Sequence, residues 1–135
     1  MSEQDCLFCK IVAREIPGLI VDEDQETIAF MDINPATRGH ALVVPRRHAA
    51  DLLEIGDDDL AATMLAAKRL SAKMMERLGA DGVSLINGCG SAAWQTVFHF
   101  HFHVIPRYRG DPLRLPYTPA PGDPEEIATA AEALR

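Results

Sequence analysis

Hydrophobic and polar positions alternate strictly from Phe98 to Val104, within the run TVFHFHFHVI (96–105), which is predicted to be one strand. Period two marks a strand with one face in a core. Phe98, Phe100, Phe102 and Val104 fall on the face predicted to join the core, and His99, His101 and His103 fall on the other. Two further runs, ETIAFMDI (26–33) and HALVVP (40–45), are rich in strand formers and flank NPATRG, a turn signal built on Asn34-Pro35 and Gly39. They are predicted neighbours in an antiparallel pair, and GVSLIN (82–87) predicts another strand. Between them, GDDDLAATMLAAKRLSAKMMERLG (56–79) switches to helical spacing. Leu60, Met64, Ala67, Ser71, Met74 and Leu78 define its predicted buried stripe. Asp57 and Asp58 mark its start and Gly79 its end. DCLFCKIVARE opens on Asp5, a predicted N-cap, and reads as a short helix ended by Ile16-Pro17-Gly18.

Strands, a long helix and more strands predict an α+β fold, with an antiparallel sheet of about five strands packed with the long helix and the short N-terminal one. After Arg107 the pattern gives way to GDPLRLPYTPAPGDP, predicted to wrap the surface, and EEIATAAEALR is expected to form a short terminal helix. Residues 1–135 are read as a single domain, with 108–135 its proline-rich C-terminal extension.

Composition narrows the classes. With 47% hydrophobic and 24% charged residues in 135, the chain reads as an ordinary globular protein with one core. No apolar run approaches the ~20 residues of a membrane span, so no membrane partner is expected. MSEQDCLFC lacks the basic and apolar regions of a secretory leader, which predicts a cytoplasmic location. A formal net charge of -7 argues against nucleic acid and leaves open a small phosphorylated ligand. Three cysteines do not suggest a disulfide framework. The C-x-x-C of Cys6 and Cys9 reads as half of a metal site, a redox pair or two buried thiols, and Cys89 in NGCGSAA as a bystander.

Three imidazoles on one strand face step by about 6.6–6.8 Å. A zinc ion with nitrogens at ~2.0–2.1 Å can take two from an H-x-H pair but hardly the outer pair of the triple. The three must divide their labour. A neutral imidazole is a competent nucleophile near pH 7, and neighbouring imidazoles can orient it or donate a proton. Gln95 and Thr96, just upstream, stand where they can bond a phosphoryl oxygen. With no Walker loop and no G-x-G-x-x-G in the chain, covalent catalysis at phosphorus is the expectation.

With QTVFHFHFHVIPR, CLFCKIV (6–12), AFMDINPATRGHALVVPRRH (29–48) and ING (86–88) in this order, the chain resembles the histidine triad superfamily, in its Hint-like, bacterial zinc-containing branch, over roughly Cys6 to Arg107. The resemblance implies a nucleoside phosphoramidase that hydrolyses purine nucleotide amides or aminoacyl adenylates through a nucleotidyl-histidine. It implies His101 as nucleophile, His103 as its proton-transfer partner and His40 as a further catalytic histidine. It also implies Asp32 on the ribose hydroxyls, Ile33 and Leu42 on the base, and Asn87, Gln95, Thr96 and Val97 along the sugar and phosphate edge, beside His101 and His103. Taken alone, Asp32 before Asn34-Pro35 reads as an Asx-turn. The resemblance further implies a structural zinc on Cys6, Cys9, His48 and His99, and a homodimer formed by strand pairing. Against the family pattern, Trp94 stands where many relatives have glycine, and the proline-rich tail finds no clear counterpart. The alternatives are a dinucleoside polyphosphate hydrolase or phosphorylase, a nucleotide-binding scaffold with vestigial catalysis, and a metalloenzyme using the histidines as ligands.

Overall fold

The computed structural model describes residues 5–135. In chain order these form helix α1 (Leu7–Val12), strands β1 (Ile20–Glu23), β2 (Thr27–Met31) and β3 (Ala41–Pro45), helix α2 (Asp57–Arg77), strands β4 (Gly82–Ile86) and β5 (Phe102–Arg107), and helix α3 (Pro124–Leu134). One turn of 3-10 helix, Ser91–Ala93, precedes β5. The α+β expectation is borne out: five strands form one antiparallel sheet in the order β1-β2-β3-β5-β4. The β2–β3 pair runs as predicted, with Thr27 opposite Pro45 and Met31 opposite Ala41. β1, which no pattern singled out, pairs with β2. From β3 the chain crosses as α2, returns as the edge strand β4, and inserts β5 between β4 and β3. Among the described residues no helix is long and apolar enough to cross a membrane.

Both sheet faces are covered. On one, Ala29, Val43, Phe100, Phe102 and Val104 form a core with Ala66, Ala67, Leu70 and Met74 of α2. On the other, Ile28, Phe30, Leu42 and Val44 cluster with Cys6, Phe8 and Ile11 from the N-terminal segment. β2 and β3 are therefore buried on both sides, which is why they read as continuous apolar runs. Leu42 stands opposite Phe30 on β2 and His103 on β5. Directly opposed residues share a face, so His103 lies on the side that α1 covers.

Several expectations are corrected. β5 begins at Phe102, not Thr96. Val43 pairs with Phe102, and two residues further along β3 stands Pro45, which has no N–H to donate. Its carbonyl instead accepts from the His99 ring (Nε2, 2.7 Å), and the Phe100 amide turns to the Ala49 carbonyl (2.7 Å). Only His103 of the three histidines thus sits in the ladder. Phe98 is half-buried and lies outside the α2 core. The histidines face away from that core into a second buried layer. On α2 the buried stripe is Thr63, Ala66, Ala67, Leu70 and Met74, while Met64 is exposed and Leu60, Ser71 and Leu78 are half-buried. The α1 cap is Cys6 rather than Asp5, and the helix ends at Val12, ahead of Ile16-Pro17-Gly18.

The β2–β3 connection needs its glycine. Gly39 has φ +93°, and a Cβ there would fall 2.4 Å from Leu78 Cδ1. Thr37 Oγ1 donates to the Pro106 carbonyl (2.6 Å), fixing this turn on β5 and presenting His40 beside His103.

Candidate active site and metal centre

Cys6, Cys9, His48 and His99 converge as the resemblance implies: one donor atom from each, all within 4.8 Å of one another. The Cys6 sulfur lies 3.4 Å from His99 Nδ1, and the Cys9 sulfur 3.3 Å from both His48 Nδ1 and His99 Nδ1. Two thiolates and two imidazoles around a tetrahedral zinc stand roughly 3.3–3.8 Å apart, given bonds of about 2.3 and 2.0–2.1 Å. The donor set and its spacing fit a closed structural zinc site. The His99 ring is prepared for this: its Nε2–H donates to the Pro45 carbonyl, so Nδ1 presents a lone pair to the sulfurs. Burial lowers the His99 pKa to about 4, keeping the ring neutral. The start of α1 brings the cysteines together, Cys6 at the cap and Cys9 within the helix, with the Cys9 amide donating to the Cys6 sulfur at 3.4 Å.

His101 is buried, and its Nδ1 lies 2.7 Å from the His99 carbonyl oxygen. A carbonyl only accepts, so Nδ1 carries the proton and Nε2 carries the lone pair. Burial lowers its pKa, against the raising effect of that same hydrogen bond, which favours the neutral ring. The Ala36 amide donates to His40 Nδ1 (2.9 Å), so the His40 proton is on Nε2, 3.0 Å from His103 Nδ1. His103 therefore accepts at Nδ1 and keeps its own proton on Nε2. Asp32 serves both ends of this array. Its Oδ1 accepts from the Asn34 amide (2.8 Å), the Asx-turn read from sequence, and its Oδ2 stands 3.4 Å from His40 Nε2 and 3.9 Å from His103 Nδ1. Burial lowers the pKa of both histidines while the Asp32 charge works against it. Asp32, His40 and His103 also form a compact donor group, but both His40 nitrogens are engaged in protein hydrogen bonds.

The site residues divide between two cavities that share His101 and His103. The first, of ≈ 460 Å³, takes in Asp32, Ile33, Leu42, Thr96 and Val97. α1 lines it with Leu7, Phe8 and Ile11, which no motif singled out, and the Phe8 ring meets His101 edge-on at 5.0 Å. The one sequence clue to Phe8 was its place inside C-x-x-C. The second cavity, of ≈ 1040 Å³, is bordered by His40, Trp94, Gln95 and the tail residues Leu115 and Pro116. Two implied contacts brace the backbone. Asn87 Nδ2 donates to the His101 carbonyl (2.9 Å). Gln95 Nε2 donates to the carbonyls of Ala50 (2.7 Å) and Val97 (3.1 Å), and its Oε1 accepts from the Gly90 amide (2.8 Å).

This architecture has relatives. A family model described as the HIT domain matches residues 13–110, and the chain belongs to this family. It is 45% identical over 106 residues to an uncharacterised HIT-like protein of Methanocaldococcus jannaschii, covering 78% of this chain and 81% of that one. A zinc-bound histidine triad family protein from Mycobacterium smegmatis is similar in structure with a TM-score of 0.80 and 35% identity, over 98% of this chain and 99% of that one. A histidine triad nucleotide-binding protein from Candida albicans is similar with a TM-score of 0.83 and 31% identity, over 96% and 94%. The tail, expected to lack a counterpart, is thus largely included in these structural matches.

Proposed function

We propose that this chain is a nucleotidyl hydrolase that cleaves purine nucleoside phosphoramidates through a nucleotidyl-histidine on His101. The observation that carries the reading is the His101 Nδ1 hydrogen bond to the His99 carbonyl, which leaves Nε2 as a neutral lone pair beside a cavity of nucleoside size. The nucleoside occupies the cavity walled by Phe8, Ile11 and Leu42. Asp32 accepts from the ribose hydroxyls, as an ionised carboxylate can from two donors at once. The name of the Candida albicans relative, a nucleotide-binding protein, supports the ligand class.

In the first step the His101 Nε2 lone pair forms a bond to phosphorus as the P–N bond to the leaving group breaks. With substrate bound, His103 takes a second proton at Nδ1, which turns from His40 toward Asp32 Oδ2 (3.9 Å), and the resulting cation gives its Nε2 proton to the departing nitrogen, which leaves as a neutral amine. The anionic substrate and Asp32 both favour that cation. In the second step water attacks phosphorus, its proton returns to His103 Nε2, and the P–N bond to His101 breaks to restore the neutral ring. The sum is amidate plus water giving amine plus nucleotide.

Cys6, Cys9, His48 and His99 would hold a structural zinc that cross-links α1 to the sheet and takes no part in bond making. Leu85 and Ile86, exposed on the edge strand β4, offer a second copy an unpaired strand for a homodimer. Mass spectrometry after rapid mixing with an adenosine phosphoramidate tests the chemistry. One added nucleotidyl mass on a His101 peptide is the expected result. An unmodified chain during turnover, or undiminished turnover by His101→Ala, would remove the proposal.

A further inference from the structure

Leu85 and Ile86, which the reading above offers to a second copy, border the larger cavity on its β4 side; its part beside His101, His103 and Trp94 has no occupant in that reading, and the inference that follows rests on it. His101 and His103 line both cavities, so a substrate with its nucleoside in the smaller one sends its leaving group toward the larger. At the wall of the larger stands Trp94, the single tryptophan of the chain. It is 68% exposed yet firmly held. Its φ is +73°, a left-handed conformation that bulky residues rarely adopt. The next residue, Gln95, is buried and spends both amide atoms on the loop backbone. The Trp94 amide closes on the Ser91 carbonyl at 3.1 Å. Gly88 leaves no slack, since a Cβ there would lie 2.5 Å from the Ala93 carbonyl oxygen. An exposed indole on a strained backbone is unfavourable twice, and it persists where the surroundings over-determine it.

The rest of the cavity indicates what the indole meets. Ile105, Leu113, Leu115 and Pro116 give it an apolar wall. Of its two arginines, Arg107 is paired through two nitrogens with Asp111 (2.8 and 2.8 Å), and exposed Arg114 turns Nη1 back onto the carbonyls of Asp111 (3.3 Å) and Leu113 (3.1 Å). Guanidiniums so engaged are poorly placed to take a polyphosphate chain, whereas a flat uncharged ring gains from stacking on an indole. We propose that the larger cavity is the leaving-group subsite, and that Trp94 selects leaving groups carrying an uncharged aromatic ring, such as an arylalkylamine or an aromatic aminoacyl group.

The test compares kcat/KM for adenosine 5′-phosphoramidates of phenethylamine, of an aromatic amino-acid ester and of butylamine, and for a diadenosine polyphosphate. Wild type is expected to prefer the aromatic amidates over the butyl one by about five- to tenfold, the rate equivalent of a well-placed aromatic pair. Trp94→Gly, which also relieves the backbone, should cut that preference to within about twofold, and Trp94→Phe should keep most of it. Because Trp94 is the sole tryptophan, its emission in His101→Ala should shift to shorter wavelength with the phenethyl amidate and not with the butyl amidate. Equal emission with both, an unchanged preference in Trp94→Gly, or fastest turnover of the diadenosine polyphosphate would overturn the assignment. Failure of wild type to hydrolyse any amidate would instead sink the proposed reaction, while the emission shift would still report on the subsite.

Discussion

His99 contributes to two centres through three different atoms. Its Nδ1 faces the cysteine sulfurs, its Nε2–H is held by Pro45, and its backbone oxygen receives the Nδ1–H of His101. That last bond selects the tautomer the proposed nucleophile requires, so the first and second histidines of the triple are linked by one backbone carbonyl. The third is set by a parallel device, the relay from the Ala36 amide through His40 to His103 Nδ1. His40 is then a positioning residue whose loss leaves His103 free to rotate or to flip tautomer. His40→Ala should lower kcat by about 100-fold with KM changed less than about threefold, because the phosphorus and nucleoside contacts survive. His101→Ala should lose on the order of 10³-fold or more. Steady-state kinetics on one amidate resolves the two. A His40→Ala defect confined to KM would mean that the relay serves binding only.

At the scale of elements, α1 is a short helix held on the sheet by Phe8 and Ile11, and it forms one wall of the smaller cavity. Phe8 lies between the two cysteines and against His101, so whatever secures the cysteines also secures that wall. Removing zinc, or introducing Cys9→Ser, should lower Tm by about 10 °C, on the basis of ~3 kcal/mol lost and a few degrees per kcal/mol at this size. Amide exchange should accelerate in α1 and at Phe100 and leave α2 unaffected. Uniform loss of protection across α2 would show that the cluster supports the whole fold instead. Elements also mark where the sequence was readable. The hairpin, the long helix and the face occupied by the histidines followed from period and turn residues. The phase of α2 did not, because its buried stripe is built from Thr63, Ala66 and Ala67, small groups that hydropathy cannot separate from exposed Met64 and Leu65. The start of β5 was misplaced because the alternation TVFHFHFHVI continues past the point where Pro45 ends the ladder. The hydrogen bonds that choose tautomers involve backbone atoms of Ala36, Pro45 and His99, and backbone atoms leave no trace in residue type.

For the whole molecule, two electrostatic effects oppose each other as pH falls from 7 to 5, and their signs differ. The net charge of -7 shrinks toward the isoelectric point near 5.1, which relieves self-repulsion and would stabilise the fold. Against this, His40, His99, His101 and His103 each have a pKa lowered mainly by burial. The unfolded chain takes up protons at these groups near pH 6.5, and the folded one only at lower pH. The stability they contribute is therefore complete above about pH 6.5 and is lost progressively below it, for His99 down to about 4. Bound zinc would steepen the loss, since acid competes for its thiolate and imidazole ligands. Three buried imidazoles and one half-buried, each with local desolvation, outweigh a diffuse repulsion that salt screens over ~8–10 Å. Tm should hence fall between pH 7 and 5, most steeply below 6.5, and adding salt should hardly alter the slope. Calorimetry at pH 7, 6 and 5 in low and high salt separates the cases: a Tm that rises toward pH 5, or a slope that salt abolishes, would mean that net charge governs and that the imidazoles are better solvated than their burial implies.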